Sequence, residues 1–213
     1  MLDSSIRSQI VPGLNRLGHG LANRGVKANH LTALGFVIGV GAIVAIATGR
    51  WGLGLALWLL NRAADGLDGS VARANGPTEL GGFLDIVADF AIYGGLLVGF
   101  GFAGEELRLP ALVCFLAYYL NGTAFLAWSS LAERLKLGEG GDGRSLDFSN
   151  AGLTEGTETI IVMSVILAWR SQAEPILWIW AGAVFITVLQ RVFFVIRRFR
   201  DYRPGQGTQE LAS

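Results

Sequence analysis

Apolar residues run from Leu31 to Thr48, 18 positions without a charged side chain. At about 1.5 Å per residue, a helix of that length is about 27 Å long, close to the ~30 Å hydrocarbon core of a bilayer. Five more apolar runs follow, over about 51–74, 80–104, 109–132, 152–169 and 175–196. The second half of 51–74 carries Arg62, Asp65, Asp68 and Arg73, and 80–104 is interrupted by Asp85 and Asp89. Glu155 and Glu158 lie near the start of 152–169, and Arg191 is the one charge in 175–196. The pattern predicts an all-α, polytopic membrane protein with six transmembrane helices. Upstream, Ile6, Ile10, Leu14, Leu17 and Leu21 recur at helical spacing among Arg7, Asn15, Arg16, His19 and Arg24. This predicts an amphipathic helix over about 3–24, lying in the interface and bent at Pro12. No apolar core precedes residue 31, so this segment does not read as a signal peptide. Residues 1–200 read as a single membrane domain, with a glycine-rich loop over 136–151 and a flexible polar tail over 201–213.

Composition agrees with the pattern. Hydrophobic residues make up 52% and charged residues 16%, against roughly 25% charged in an ordinary soluble domain. That much apolar mass excludes a disordered chain. The 17 basic residues balance the 17 acidic ones, so no net field draws a polyanion and no nucleic-acid partner is expected. Cys114 is the single cysteine, which excludes an intramolecular disulfide and points to a packing role. If alternate loops are assigned to opposite sides, only Arg50, Arg108 and Arg170 of the 17 Lys and Arg residues fall on one of them. Basic loops stay inside, so both termini are expected in the cytoplasm. Trp51, Trp58, Trp169, Trp178 and Trp180 are expected to form an outer aromatic belt. Gly35-x3-Gly39 and Gly95-x3-Gly99 fit close helix packing, within or between subunits.

The chemistry gathers at residues 65–89, DGLDGSVARANGPTELGGFLDIVAD. An insertion scale puts an ionised aspartate at mid-membrane at about 2.5–3.5 kcal/mol, so four aspartates in apolar helices need compensation. A divalent cation supplies it. Asp65 and Asp68 share one helix face, and Asp85 and Asp89, four apart, share another. Asn75-Gly76-Pro77 is a turn signal that folds the two helices into an antiparallel pair with converging carboxylates. An all-oxygen cage suits Mg²⁺, Mn²⁺ or Ca²⁺ rather than zinc or copper. Arg73 is a ready partner for a phosphate.

The spacing Asp65-x2-Asp68-Gly69-x2-Ala72-Arg73-x7-Gly81-x3-Asp85-x3-Asp89 resembles the signature of the CDP-alcohol phosphotransferase family at every fixed position. Asn29-His30-Leu31-Thr32 is similar to that family's Pro-Asn-x-Leu-Thr entry to the first span, with Ala28 in place of the proline. The resemblance implies that a phosphatidyl group passes from CDP-diacylglycerol to the hydroxyl of a small alcohol and that CMP leaves. It implies that Asp65, Asp68, Asp85 and Asp89 hold two divalent ions, Mg²⁺ or Mn²⁺, with Asp85 and Asp89 at the catalytic centre. Asp89 doubles as the base toward the acceptor. Asp65, Asp68, Gly69, Ala72 and Arg73 are implied to lie against the CDP moiety. A homodimer in the cytoplasmic membrane of a bacterium, with the site facing the cytoplasm, is implied as well.

Family members that use phosphorylated acceptors tend to carry a basic residue after the fourth aspartate, where this chain has Phe90. Glu155 and Glu158 would repel a phosphate beside them. The acceptor is therefore expected to be an unphosphorylated polyol or amino alcohol, with Phe90, Arg144, Glu155, Glu158 and Arg191 as candidate pocket residues. The alternatives are a phosphatidylglycerophosphate synthase using glycerol 3-phosphate, in which Arg62, Arg134, Arg144 or Arg191 meets the phosphate, or an intramembrane prenyltransferase. A different class is a cation channel or transporter lined by the acids. Glu155 and Glu158 can also be read as hydrated acids at a helix N-terminus, and Arg191 as a snorkelling side chain.

Overall fold

The computed structural model describes residues 2–134, 154 and 156–201. The loop 136–151 with Arg144, Glu155, the tail beyond residue 201 and the side chains of residues 2–11 lie outside the described residues. Seven α-helices and one short 3-10 turn, Arg170–Gln172, make up the fold, with no strand among the described residues. The helices are α1 (Leu2–Ala22), α2 (Ala28–Ala47), α3 (Trp51–Asn75), α4 (Glu79–Ala103), α5 (Glu105–Arg134), α6 (Gly156–Ala168) and α7 (Ala173–Asp201). The expected spans fall on α2 to α7, and α1 runs through Pro12 without a break. Two boundaries move outward. α5 begins four residues before the uncharged run, and α7 continues past Ile196 through the basic Arg197–Arg200 segment.

Four helices are long and apolar enough to cross a membrane: α2, α4, α5, and α7 with the 3-10 turn before it. α3 has the length, at 25 residues, but carries the charges of its second half. α6 has 13 residues, about 20 Å of helix. Large apolar side chains point outward from the long helices, among them Val37, Phe102, Ile179 and Leu189, each at least two-thirds exposed. A bilayer accepts such a surface.

α2 packs on α3 and α4, α4 on α5, α5 on α7, α7 on α6, and α6 on α3. The six helices thus close a ring in the order 2, 3, 6, 7, 5, 4, with α1 laid across α3 and α6. In lipid, helices associate through close packing and interhelical hydrogen bonds rather than through hydrophobic transfer. Both are present. A side chain at Gly39 would fall 2.5 Å from Ile92 Cδ1, and one at Gly99 would meet the Ile43 carbonyl at 3.1 Å, so α2 and α4 meet nearly backbone to backbone. The two glycine pairs therefore serve packing within the chain.

The tryptophan belt is only partly realised. Trp169 and Trp178 are exposed, but Trp51, Trp58 and Trp180 are in the core. Trp58 Nε1 donates to Ser164 Oγ of α6 at 3.1 Å, and Trp180 Nε1 to Tyr118 Oη of α5 at 2.9 Å. Trp58 and Trp180 thus find N–H partners inside the fold, which hydropathy does not show, whereas Trp51 is held by stacking on Phe100 at 5.8 Å, its Nε1 without a hydrogen-bond partner among the described residues. Cys114 is buried, as a packing residue should be.

Candidate active site

The site forms where α3 ends and α4 begins. α3 stops at Asn75 because Gly76 takes a left-handed φ of +89° and Pro77 cannot continue a helix. Thr78 then caps α4, its Oγ1 accepting from Gly81 N at 3.1 Å. This tight reversal brings the second half of α3 and the first half of α4 to one cleft, with α2 packed on both. Asp65, Asp68 and Asp85 converge there, each offering a carboxylate oxygen within 4.8 Å of the others. The cleft they line also includes Thr32, Asn61, Arg62 and Asp89.

Each carboxylate has its own setting. Asp68 is buried, and its Oδ2 accepts from Thr32 Oγ1 of α2 at 2.8 Å. Asp65 and Asp85 are half-buried at the cleft wall. Asp89 lies in the same cleft but outside the three-carboxylate cluster, and its Oδ1 accepts from Arg62 Nη1 at 2.9 Å. The longer approach of Arg62 to Asp65 is 3.8 Å. Three carboxylates at ligand spacing, with no basic side chain bonded to Asp68 among the described residues, form a hard-oxygen set that fits a divalent cation.

The sequence showed Arg62 as a charge in an apolar run and, in one alternative, as a partner for an acceptor phosphate. In the fold it is held on every side. Its Nε and Nη2 donate to Asn61 Oδ1 at 2.8 and 2.6 Å, and Nη1 donates to Tyr93 Oη at 2.9 Å as well as to Asp89. Its guanidinium lies 4.8 Å from the ring centroids of both Trp58 and Tyr93. Asn61 is fixed in turn by its donation to the Gly35 carbonyl at 2.8 Å.

Gly69, Ala72 and Arg73 lie toward the C-terminal end of α3. Arg73 is exposed, and its Nη2 donates to Ser70 Oγ at 2.9 Å and to Asn15 Oδ1 of α1 at 3.0 Å. Gly69 lies beside it, and Ala72 is half-buried. Among the candidate acceptor residues, Phe90 does not line the cleft of the aspartates. It is half-exposed on α4, with its ring against Gly122 of α5. Arg191 does not snorkel. It is buried, and its Nη1 donates to Asn121 Oδ1 at 2.7 Å. Glu158 stands in the first turn of α6, its Oε2 buried and without a hydrogen-bond partner among the described residues. Thr32 and Tyr93 were missed as site residues. The entry motif held the signal for Thr32, and Tyr93 carried none beyond its place one turn after Asp89.

Comparison with known proteins bears on this geometry. The sequence model of the CDP-alcohol phosphatidyltransferase family matches residues 26–196. Inner membrane protein YnjF of Escherichia coli (strain K12) is 36% identical over 207 residues, covering 90% of this chain and all of that one. Archaetidylinositol phosphate synthase of Pyrococcus horikoshii is 27% identical over 200 residues, 92% of this chain and 97% of that one. Phosphatidylinositol phosphate synthase of Mycobacterium tuberculosis, solved with CDP-diacylglycerol bound, superposes with a TM-score of 0.64 at 23% identity, over 84% of this chain and 92% of that one. Its complex with manganese and citrate gives 0.65 over 86% and 88%. At that identity the structural likeness speaks for the fold alone. The match across most of the chain displaces the prenyltransferase and cation-pathway readings. The chain belongs to the CDP-alcohol phosphatidyltransferase family and is a membrane transferase of phospholipid synthesis.

Proposed function

We propose that the protein transfers the phosphatidyl group of CDP-diacylglycerol to the hydroxyl of a small polar alcohol, releasing CMP. The observation that carries this reading is the convergence of Asp65, Asp68 and Asp85 in one cleft with Asp89, inside the family motif. In this reading two divalent ions, Mg²⁺ or Mn²⁺, are held by Asp65, Asp68, Asp85 and Asp89. Bound there, they would neutralise the diphosphate's charge and stabilise attack and departure at phosphorus. Gly69, Ala72 and Arg73 lie against the CDP moiety, with the Arg73 guanidinium toward phosphate. Asp89 accepts the proton of the acceptor hydroxyl as that oxygen bonds the phosphorus carrying the lipid. The bond from that phosphorus to the bridging oxygen breaks, and CMP leaves with the electron pair.

The same proposal sets residues 1–200 as one domain with six spans, α2 to α7, and α1 in the cytoplasmic interface. Both termini and the cleft face the cytoplasm of a bacterial inner membrane. The name of the E. coli relative supports that membrane, and the basic-residue count supports that orientation. A homodimer is part of the proposal.

For the acceptor we favour an unphosphorylated polyol or amino alcohol. Glu158 puts a carboxylate at the start of α6, and Arg62 already has four of its five N–H groups engaged by Asn61, Asp89 and Tyr93. A second reading has a specific support: the archaeal relatives are named for archaetidylinositol phosphate synthesis, a phosphorylated product. The test is CMP release from CDP-diacylglycerol by the purified protein with paired acceptors. Glycerol competes against glycerol 3-phosphate, and inositol against inositol phosphate, with the lipid product identified in each case. Preference for a phosphorylated member refutes the favoured acceptor, and then Arg144 and Arg191 are the first residues to substitute. No CMP release with any acceptor refutes the reaction.

A further inference from the structure

The cleft contains a cation that the reaction as proposed leaves unused. Arg62 is one turn before Asp65 on α3, and its side chain is 7% exposed. A buried guanidinium needs its charge compensated and its donors filled, and a partly filled set costs more than an apolar side chain of the same size. Here four of the five donors are filled in one fixed arrangement. Asn61 takes Nε and Nη2, while Asp89 and Tyr93 share Nη1. Trp58 and Tyr93 hold the guanidinium plane by their rings at 4.8 Å, and Asn61 cannot rotate away without losing the Gly35 carbonyl. One rigid chain of contacts therefore runs from the α2 backbone through Asn61 and Arg62 of α3 to the Asp89 carboxylate of α4.

The end of that chain is specific. Nη1 takes Oδ1 of Asp89 and leaves the other carboxylate oxygen for a proton donor. A phosphate-binding role fits poorly, since recognition of phosphate by arginine uses a free pair of parallel N–H groups. We propose that Arg62 is a positioning residue for proton transfer: locked by Asn61, Trp58 and Tyr93, it holds the Asp89 carboxylate in the orientation that accepts the acceptor's proton. This rests on the reading of Asp89 as that acceptor. A general base contributes about a hundredfold to ten-thousandfold in rate, and a misplacement of about 1 Å forfeits much of it.

The experiment is a double-mutant cycle in the full-length protein in nanodiscs. Wild type, Arg62→Met, Asp89→Asn and the double variant are compared by CMP release with the acceptor that gives the highest rate in the screen above. Mn²⁺ binding is measured separately on each. Methionine keeps the stem's bulk and removes the donors. Arg62→Met is expected to lower kcat by about a hundredfold. The KM for CDP-diacylglycerol and the Mn²⁺ affinity should stay within about threefold. The double variant should be no slower than Asp89→Asn alone, because a residue that works through another adds nothing once the other is gone. Tyr93→Phe, which removes one of the groups sharing Nη1 and keeps the ring, should lower kcat less and in the same non-additive way. It also carries the test if Arg62→Met does not fold. Losses that multiply in the double variant overturn the proposal, as does a tenfold change in Mn²⁺ affinity with kcat intact. Full kcat in Arg62→Met beside an inactive Asp89→Asn overturns the proposal alone, whereas full kcat in Asp89→Asn removes the base reading beneath it.

Discussion

Gly18 is expected to be the glycine of α1 least tolerant of a methyl group, because there the helix crosses α3 two residues after Asp68. Its added Cβ would stand 2.5 Å from Ser70 Cβ, 2.9 Å from the Ser70 carbonyl carbon and 3.1 Å from the Val71 nitrogen. None of these is the far end of a flexible side chain, so α1 and α3 must part by roughly 1 Å to regain van der Waals contact, a strain of about 1–3 kcal/mol. The same helix supplies its own controls. A Cβ at Gly13 or Gly20 meets nothing within 4 Å. Gly→Ala within a helix gains roughly 0.5–1 kcal/mol of backbone entropy at all three positions, so the difference between Gly18→Ala and Gly20→Ala isolates the contact. For a chain of this size that difference is a Tm gap of about 2–4 °C per kcal/mol, read by thermal unfolding in detergent. Function should follow the geometry. The 3.0 Å bond from Arg73 to Asn15 crosses the same α1–α3 seam, and a hydrogen bond to a charged group contributes about 1.5 kcal/mol or less where exposed. The KM for CDP-diacylglycerol should therefore rise by up to roughly tenfold in Gly18→Ala, with Mn²⁺ affinity unchanged. Equal Tm and KM in the Gly18 and Gly20 variants would refute both the close approach and the link from α1 to Arg73.

Asp68→Asn and Asp85→Asn should each abolish CMP release, and EDTA should do the same reversibly, with Mg²⁺ or Mn²⁺ restoring activity. Wild-type rates in either variant would sink the cation cage. Thr32→Val removes the 2.8 Å bond to Asp68 while keeping the side chain's shape, and should weaken Mn²⁺ binding by about tenfold or more, read by titration. Reporter fusions at Met1 and Ser213 should both give a cytoplasmic signal, and a periplasmic signal from either end breaks the six-span arrangement.

The helical class, the approximate helix positions and the gathering of Asp65, Asp68 and Asp85 were legible in the sequence because each rests on a local rule. A bilayer sets helix length, so apolar runs of 18 to 25 residues announce themselves. The i,i+3 and i,i+4 spacings put carboxylates on one face, and Asn75-Gly76-Pro77 can only reverse the chain. What the spacing could not supply was the partner of each charge. Asp68 and Asp89 look equivalent along the chain, yet one takes a hydroxyl from Thr32, 36 residues away, and the other a guanidinium from Arg62, 27 residues away. Those pairings exist only because α2 packs against both α3 and α4 and so brings their carboxylates to one cleft. The tryptophans divide for the same reason. Hydropathy ranks Trp58 and Trp169 alike, and only the ring of helices decides that one donates to Ser164 in the core while the other is exposed. Gly18 carries no signal in its own segment, because its meaning is the distance to Ser70, and a distance between helices is a property of their packing rather than of either helix alone.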